Sequence, residues 1–217
     1  MMIEEDFLEV NEFSRPGKIR TATLGVVMHW TANPNADAKQ NKEYFDAKKL
    51  GMDGYGSAHY IVSQDGSIVQ CMPENEVAYH CGTDRLDPES HAVYTNYARA
   101  KFKQWASYPD KTSPNWCTIG IEMCPTDWEG HFSKETLDAA AELCSIILQR
   151  HGLTVDDICT HNMVVGWKDC PKLWCDEPER FVAFKSQVNA IIRRRSRKPS
   201  LLYYIFRFIR KVLCGNS

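Results

Sequence analysis

One short apolar run constrains this chain more than any other stretch: Leu24-Gly-Val-Val-Met-His-Trp30. Read as a strand, its two-residue period puts Leu24, Val26 and Met28 on one face and Gly25, Val27 and His29 on the other. Such a run belongs in a buried sheet, and its ionisable ring falls at the strand's end. The edge of a sheet is where binding and catalytic sites are commonly built.

The segments that follow fit around this strand. Residues 38–50 are helix-like, with Tyr44 and Phe45 as apolar anchors and Gly51 as a stop. Residues 57–63 alternate as a second strand, and residues 68–72 return as its partner after a turn centred on Asp65-Gly66. Residues 117–123 form a further apolar strand containing one acid, Glu122. Ser133 caps a helix running to about His151, whose stripe is Leu137, Ala140, Ala141, Cys144, Ile147 and Leu148, and Gly152 ends it. Pro178 opens another helix, with Phe181, Phe184, Val188, Ile191 and Ile192 at helical spacing. Strands alternating with helices predict an α/β fold, a single domain with a central mixed β-sheet flanked by helices. Residues 1–20 read as an arm leading into it. Residues 83–114, rich in proline and polar groups, read as a long surface insertion with a helix near 95–105.

The 217 residues suffice for one such domain, taken as residues 1–192, with an appendage at residues 193–217. Charge marks that boundary. Eight of the 26 Lys and Arg, and none of the 28 Asp and Glu, lie in residues 193–217. Within it, residues 201–213 place Leu201, Leu202, Ile205, Phe208, Ile209, Val212 and Leu213 on one helical face and Tyr203, Arg207, Arg210 and Lys211 opposite. A basic amphipathic helix of this kind suits an anionic lipid surface or wall polymer; the alternative is a helix packed onto the domain. No nucleic-acid partner is expected. The nine cysteines show no repeated framework, and the acidic start of the chain lacks the apolar core of a signal peptide. Synthesis in a reducing cytoplasm is therefore the expectation.

The richest chemistry lies in residues 158–171, which supply His161 and Cys170 with the cation Lys168 between them. A catalytic zinc takes three protein ligands and leaves one position open. His29 is the best third ligand. Singly, each has a plainer explanation, since a strand-end histidine is usually a hydrogen-bonded structural group and a cysteine before proline is usually just buried. Glu122 is the second clue, because an acid in an apolar strand is costly to bury unless it is paired or functional. It reads either as a structural partner for an arginine or amide, or as a general base beside a metal-activated water.

In order along the chain stand Ser14-Arg-Pro-Gly-Lys18, Gly25-Val-Val-Met-His-Trp-Thr31, Ser57-Ala-His-Tyr60 with Asp65-Gly66, Ala78-Tyr-His-Cys-Gly82, Ile119-Gly-Ile-Glu-Met123, and Thr160-His161 through Lys168-Asp-Cys-Pro171. Over residues 10–190 this series resembles the zinc-dependent N-acetylmuramoyl-L-alanine amidases of the type 2 family, which includes phage endolysins and is related to peptidoglycan recognition proteins. The resemblance implies Zn²⁺ held by His29, His161 and Cys170, with Glu122 as catalytic acid–base and Lys168 steadying the oxyanion. It places His80 and Tyr79 along the substrate groove. The implied reaction cuts the amide between N-acetylmuramic acid and L-alanine in peptidoglycan, after release of a phage or prophage endolysin to the cell wall. Two departures stand out. Ala58 occupies a position where some relatives carry a catalytic Tyr, so Glu122 acts as base alone, and Tyr79 stands where Trp is common. The competing readings are a host wall-recycling amidase, a non-catalytic peptidoglycan-binding module, and a membrane-active protein working through its tail.

Overall fold

A computed structural model describes residues 2–20, 22–51, 54–103 and 113–197. Its elements, in chain order, are β1 (Ile3–Glu5), β2 (Gly25–Trp30), α1 (Ala38–Ala47), β3 (Tyr60–Val62), β4 (Ile68–Gln70), α2 (Asn96–Lys101), β5 (Thr118–Met123), α3 (Lys134–His151), β6 (Ile158–Thr160), α4 (His161–Val165), α5 (Lys172–Asp176) and α6 (Pro178–Arg197). The six strands form one mixed sheet in the order β1-β4-β3-β5-β2-β6. Strands β3, β5, β2 and β6 run parallel to one another, β4 is antiparallel to β3, and β1 runs parallel to β4.

Side-chain alternation along β2 and β5 divides the molecule in two. Val26, Met28, Ile119 and Ile121 face a core completed by α3 and α6, in which Ala140, Ala141, Cys144, Ile147, Phe184 and Val188 are buried. Those two helices are well specified locally. Ser133 Oγ accepts the amide N–H of Thr136, and Gly152 closes α3 in the left-handed conformation at φ 65°. On the opposite face Val27 joins Cys81, Tyr94, Ala98, Phe102, Cys117, Cys159 and Val164 in a smaller cluster. The Asp65-Gly66 turn forms as expected and joins β3 to β4, with Gly66 at φ 82°.

Several expectations require correction. The N-terminal arm is part of the sheet: Ile3 pairs with Ile68, Leu8 is buried, and Arg15 grips Glu76 through two 2.8 Å hydrogen bonds. β6 completes the opposite edge, and both additions are three-residue strands too short for a local period to reveal. In α1 the anchors are Ala38 and Asn41, with Phe45 partly buried, whereas Tyr44 is 52% exposed. Asn41 is satisfied by the Ala36 and Asp37 carbonyls, so a polar residue occupies a core-facing position. Through residue 103, the expected surface insertion is not wholly on the surface, because Tyr94, Ala98 and Phe102 complete the second core. Two close neighbours explain Gly25: a Cβ there would lie 2.9 Å from the Asp157 carbonyl oxygen and 3.0 Å from the Phe102 ring. The helix expected near 95–105 is the shorter α2, capped by Thr95, and residues 104–112 lie outside the described residues.

The last helix continues through Arg197, past the boundary drawn at residue 192, and Arg194 and Arg195 both pair with Glu142 of α3. The amphipathic stretch 201–213 lies outside the described residues. Among the described residues, no helix is long and apolar enough to cross a membrane, and all eight cysteines are free thiols.

Candidate metal centre and groove

Parallel strands bring their carboxyl ends to one edge, and the titratable residues gather there. His29 and Glu122 are direct neighbours in the β2–β5 register. β6 ends at Thr160, whose hydroxyl caps α4 by accepting the Met163 amide, so His161 stands at the first position of that helix. Gly166, at φ 81°, turns the chain out of α4, and the Asp87 carboxylate occupies the space that a Cβ would need. The chain then returns. The Asn162 amide donates to the Cys170 carbonyl at 3.0 Å, and its side chain donates to the Lys168 carbonyl at 3.1 Å. Beyond Cys170, Trp174 plugs into the opposite core between Phe132, Phe181 and Phe184. The Cys170 loop is thus held by hydrogen bonds to Asn162 at one end and by the buried Trp174 ring at the other.

One donor atom each from His29, His161 and Cys170 lies within 4.8 Å of the others. All three residues are about 2% exposed. Cys170 Sγ lies 3.8 Å from His29 Nδ1, and the His29 and His161 ring centroids are 4.7 Å apart. Burial pushes His161 down to about 3, with Lys168 adding to the effect; contact with the Gly82 backbone opposes this. Burial likewise holds His29 far below its ordinary value, helped by His161, His80 and Lys168. Both rings are therefore neutral, the form that ligates metal. The Cys170 thiol is pushed up, first by burial and then by Glu122, so a thiolate here calls for a cation beside it. Glu122 is raised to about 7 by burial, with Lys168 pulling the other way.

His29, His80 and Cys81 form a second close trio. Hydrogen bonding separates the two. His80 Nδ1 lies 3.1 Å from His29 Nε2 and 3.2 Å from Cys81 Sγ, and His80 Nε2 lies 3.3 Å from Thr118 Oγ1. By contrast, neither ring nitrogen of His161 meets a partner at hydrogen-bonding geometry, nor does Glu122 Oε2. Unpaired buried polar atoms are costly and call for an explanation. Two neutral imidazoles, one thiol and a carboxylate fit a zinc ion and an activated water. The cluster around His161 is the candidate metal centre, and the His80 trio is its hydrogen-bonded support.

A groove of about 590 Å³ opens over these residues. Its lining includes Tyr44, Lys48, Tyr55 and Tyr79, and also Thr83, Asp84, Trp167 and Lys168. Tyr55 and Tyr79 meet edge to face at 5.3 Å, and the Tyr55 hydroxyl donates to Glu12. Trp167 Nε1 donates to Thr83 Oγ1 at 2.7 Å, and the Arg85 guanidinium lies 4.6 Å above the Trp167 ring. All seven residues singled out in the sequence line this groove. His80 does so at only 6% exposure, beneath the surface. Tyr44, Tyr55, Lys48, Thr83, Asp84, Asn115 and Trp167 were not foreseen there. Aromatic content was the available signal in the sequence, but it does not say which rings reach the groove.

A model of the N-acetylmuramoyl-L-alanine amidase family matches residues 20–173, which hold the whole cluster. The chain belongs to this family. This amidase-family chain is 31% identical over 191 residues to a probable N-acetylmuramoyl-L-alanine amidase of Bacillus licheniformis, covering 88% of this chain and 48% of that protein. It is 30% identical over 191 residues to the N-acetylmuramoyl-L-alanine amidase BlyA of Bacillus subtilis (strain 168), covering 88% and 47%. The chain thus spans about half the length of the curated relatives it matches. The solved catalytic domain of XlyA shares the fold, with a TM-score of 0.60 at 23% identity, covering 87% of this chain and 99% of that one.

Proposed function

We propose that this family member hydrolyses the amide bond between N-acetylmuramic acid and L-alanine in peptidoglycan, as a zinc-dependent endolysin-type amidase acting on the cell wall. One observation carries the reading: the His29–His161–Cys170 donor set shares a groove with Glu122, whose Oε2 has no hydrogen-bond partner, and with several aromatic rings.

A zinc ion held by His29, His161 and Cys170 would polarise the scissile carbonyl and acidify a water molecule. The chain's own groups supply the rest. Glu122, beside His29 in the sheet register and raised to about 7, takes the water's proton and delivers it to the departing L-alanine amine. Lys168, on the groove wall, faces the developing oxyanion with a positive charge, a contact worth roughly 3–4 kcal/mol in a preorganised site. Ala58 is buried and offers no hydroxyl, so proton transfer rests on Glu122. The rings of Tyr44, Tyr55, Tyr79 and Trp167 give flat apolar surfaces on which sugar rings and the short peptide stem can lie.

The direct test is digestion of purified peptidoglycan with and without a chelator, followed by mass analysis of the fragments. Released stem peptides that begin with L-alanine, lost on chelation and restored by zinc, are the expected result. Tight binding with no new fragments would overturn it in favour of a recognition module. Residues 193–217 are proposed to add affinity for an anionic surface. Removing residues 196–217 should weaken binding to anionic vesicles while sparing hydrolysis of soluble muropeptides; unchanged vesicle binding refutes that role.

A further inference from the structure

The hydrogen bonds beneath the candidate metal centre form a chain whose proton positions can be assigned one after another. It begins at Thr118 Oγ1, which donates to the Pro114 carbonyl at 2.8 Å. That hydroxyl has one proton, now committed, so toward His80 Nε2 at 3.3 Å it can only accept. His80 therefore carries its proton on Nε2 and presents a lone pair on Nδ1. Two groups approach that lone pair, His29 Nε2 at 3.1 Å and Cys81 Sγ at 3.2 Å. Facing that lone pair, His29 Nε2 completes a hydrogen bond only by donating, which puts the His29 proton on Nε2; the Cys81 thiol is the competing donor. The remaining lone pair of His29, on Nδ1, lies on the side of Cys170 Sγ.

The support is built around His80. A Cβ on Gly120 would lie 2.6 Å from His80 Cγ and 2.8 Å from Nδ1, so the ring rests directly on the β5 backbone at the one residue type that admits it. Asn115 Oδ1 accepts both the His80 amide at 3.1 Å and the Cys81 amide at 2.7 Å, which fixes the main chain from below.

We infer that His80 is a positioning residue that, held by Thr118 and seated on Gly120, fixes the tautomer of His29 so that His29 offers Nδ1 to a metal shared with His161 and Cys170. This deepens the metal-centre reading and rests on it. Outer partners of ligating histidines orient the ring and typically change metal affinity by about 10–100-fold. The glycine of Ile119-Gly-Ile-Glu thereby acquires a role, making room for the ring that aligns the ligand on the neighbouring strand.

The test reads protons and metal affinity separately. In the metal-free protein, long-range ¹H–¹⁵N correlation of the imidazole rings should show both His29 and His80 as Nε2–H tautomers. An Nδ1–H tautomer for His29 overturns the inference. Chelator-competition titration with zinc should give a dissociation constant roughly 10–100-fold weaker for His80→Leu. His80→Asn, whose amide oxygen can stand near the lost Nδ1, should recover most of that loss, and Thr118→Val should weaken binding several-fold. Wild-type zinc affinity in a folded His80→Leu protein sinks the role. If His80→Leu does not fold, Thr118→Val decides: unchanged affinity together with an unchanged His29 tautomer overturns the relay. Failure of the wild-type protein to bind zinc would instead remove the metal-centre reading, and the tautomer spectrum would still judge the hydrogen-bond chain.

Discussion

The two faces of β2 and β5 are made from alternate residues of the same strands, yet they serve opposite ends. Toward α3 and α6 the strands show Val26, Met28, Ile119 and Ile121, all fully buried among apolar neighbours. Toward the groove they show His29, Gly120 and Glu122, where burial strips water from imidazole and carboxylate without giving every atom a partner. The first face gains free energy from each group it buries. On the second, free energy is spent to keep rings neutral and a carboxyl ready to exchange its proton near neutral pH. The comparison teaches that stability and chemistry are separated here by the pleat of a strand, about the width of one backbone.

The largest effect should come from the groove face. Glu122→Gln should lower turnover on purified peptidoglycan by roughly 10²–10⁴-fold with zinc content and fold retained. Near-wild-type turnover would end its assignment as base. In the wild type the rate should fall as pH drops through the Glu122 titration, at or below about 7 once a cation sits beside it. Next is the core face. Ile147→Ala on α3 empties a fully buried site and should cost about 2–5 kcal/mol in denaturant unfolding, with turnover per folded molecule unchanged. A parallel loss of turnover would show that the two faces are coupled.

A smaller effect reverses the sign expected of a deletion. Glu122 is raised in the folded state, so the fold binds its proton more tightly than the unfolded chain does. Stability is then lost as pH climbs from the ordinary carboxyl range through about 7. Metal-free Glu122→Gln escapes that loss. It should be more stable than the metal-free wild type by up to about 3 kcal/mol at pH 8, with no advantage below about pH 4.5. Equal stability at both pH values would mean that the carboxylate is better solvated than its burial implies. The smallest effect lies at the edge of the core face, where Ser133→Ala removes the α3 cap and should cost about 1 kcal/mol in thermal unfolding with no change in turnover.

What the sequence determined by itself was everything encoded within a few residues. The parity of β2 and β5, the Asp65-Gly66 turn, the Ser133 and Gly152 ends of α3 and the Pro178 start of α6 follow from local sterics and periodicity. His29, His161 and Cys170 were candidates from their residue types, the family resemblance joined them as a set, and the fold brings their donor atoms within 4.8 Å of one another. Tertiary structure decided the rest. β1 and β6 exist only because neighbouring strands satisfy their backbones, and Gly25 lacks a side chain where the Asp157 carbonyl and the Phe102 ring close over it. Tyr44 faces the groove because Asn41, one helical turn back toward the core, finds acceptors at the Ala36 and Asp37 carbonyls. His80 depends on groups 35 to 51 residues away, at Asn115, Thr118 and His29. A hydrogen bond across such separations leaves no local period, so only the folded chain shows which groups meet each ring nitrogen.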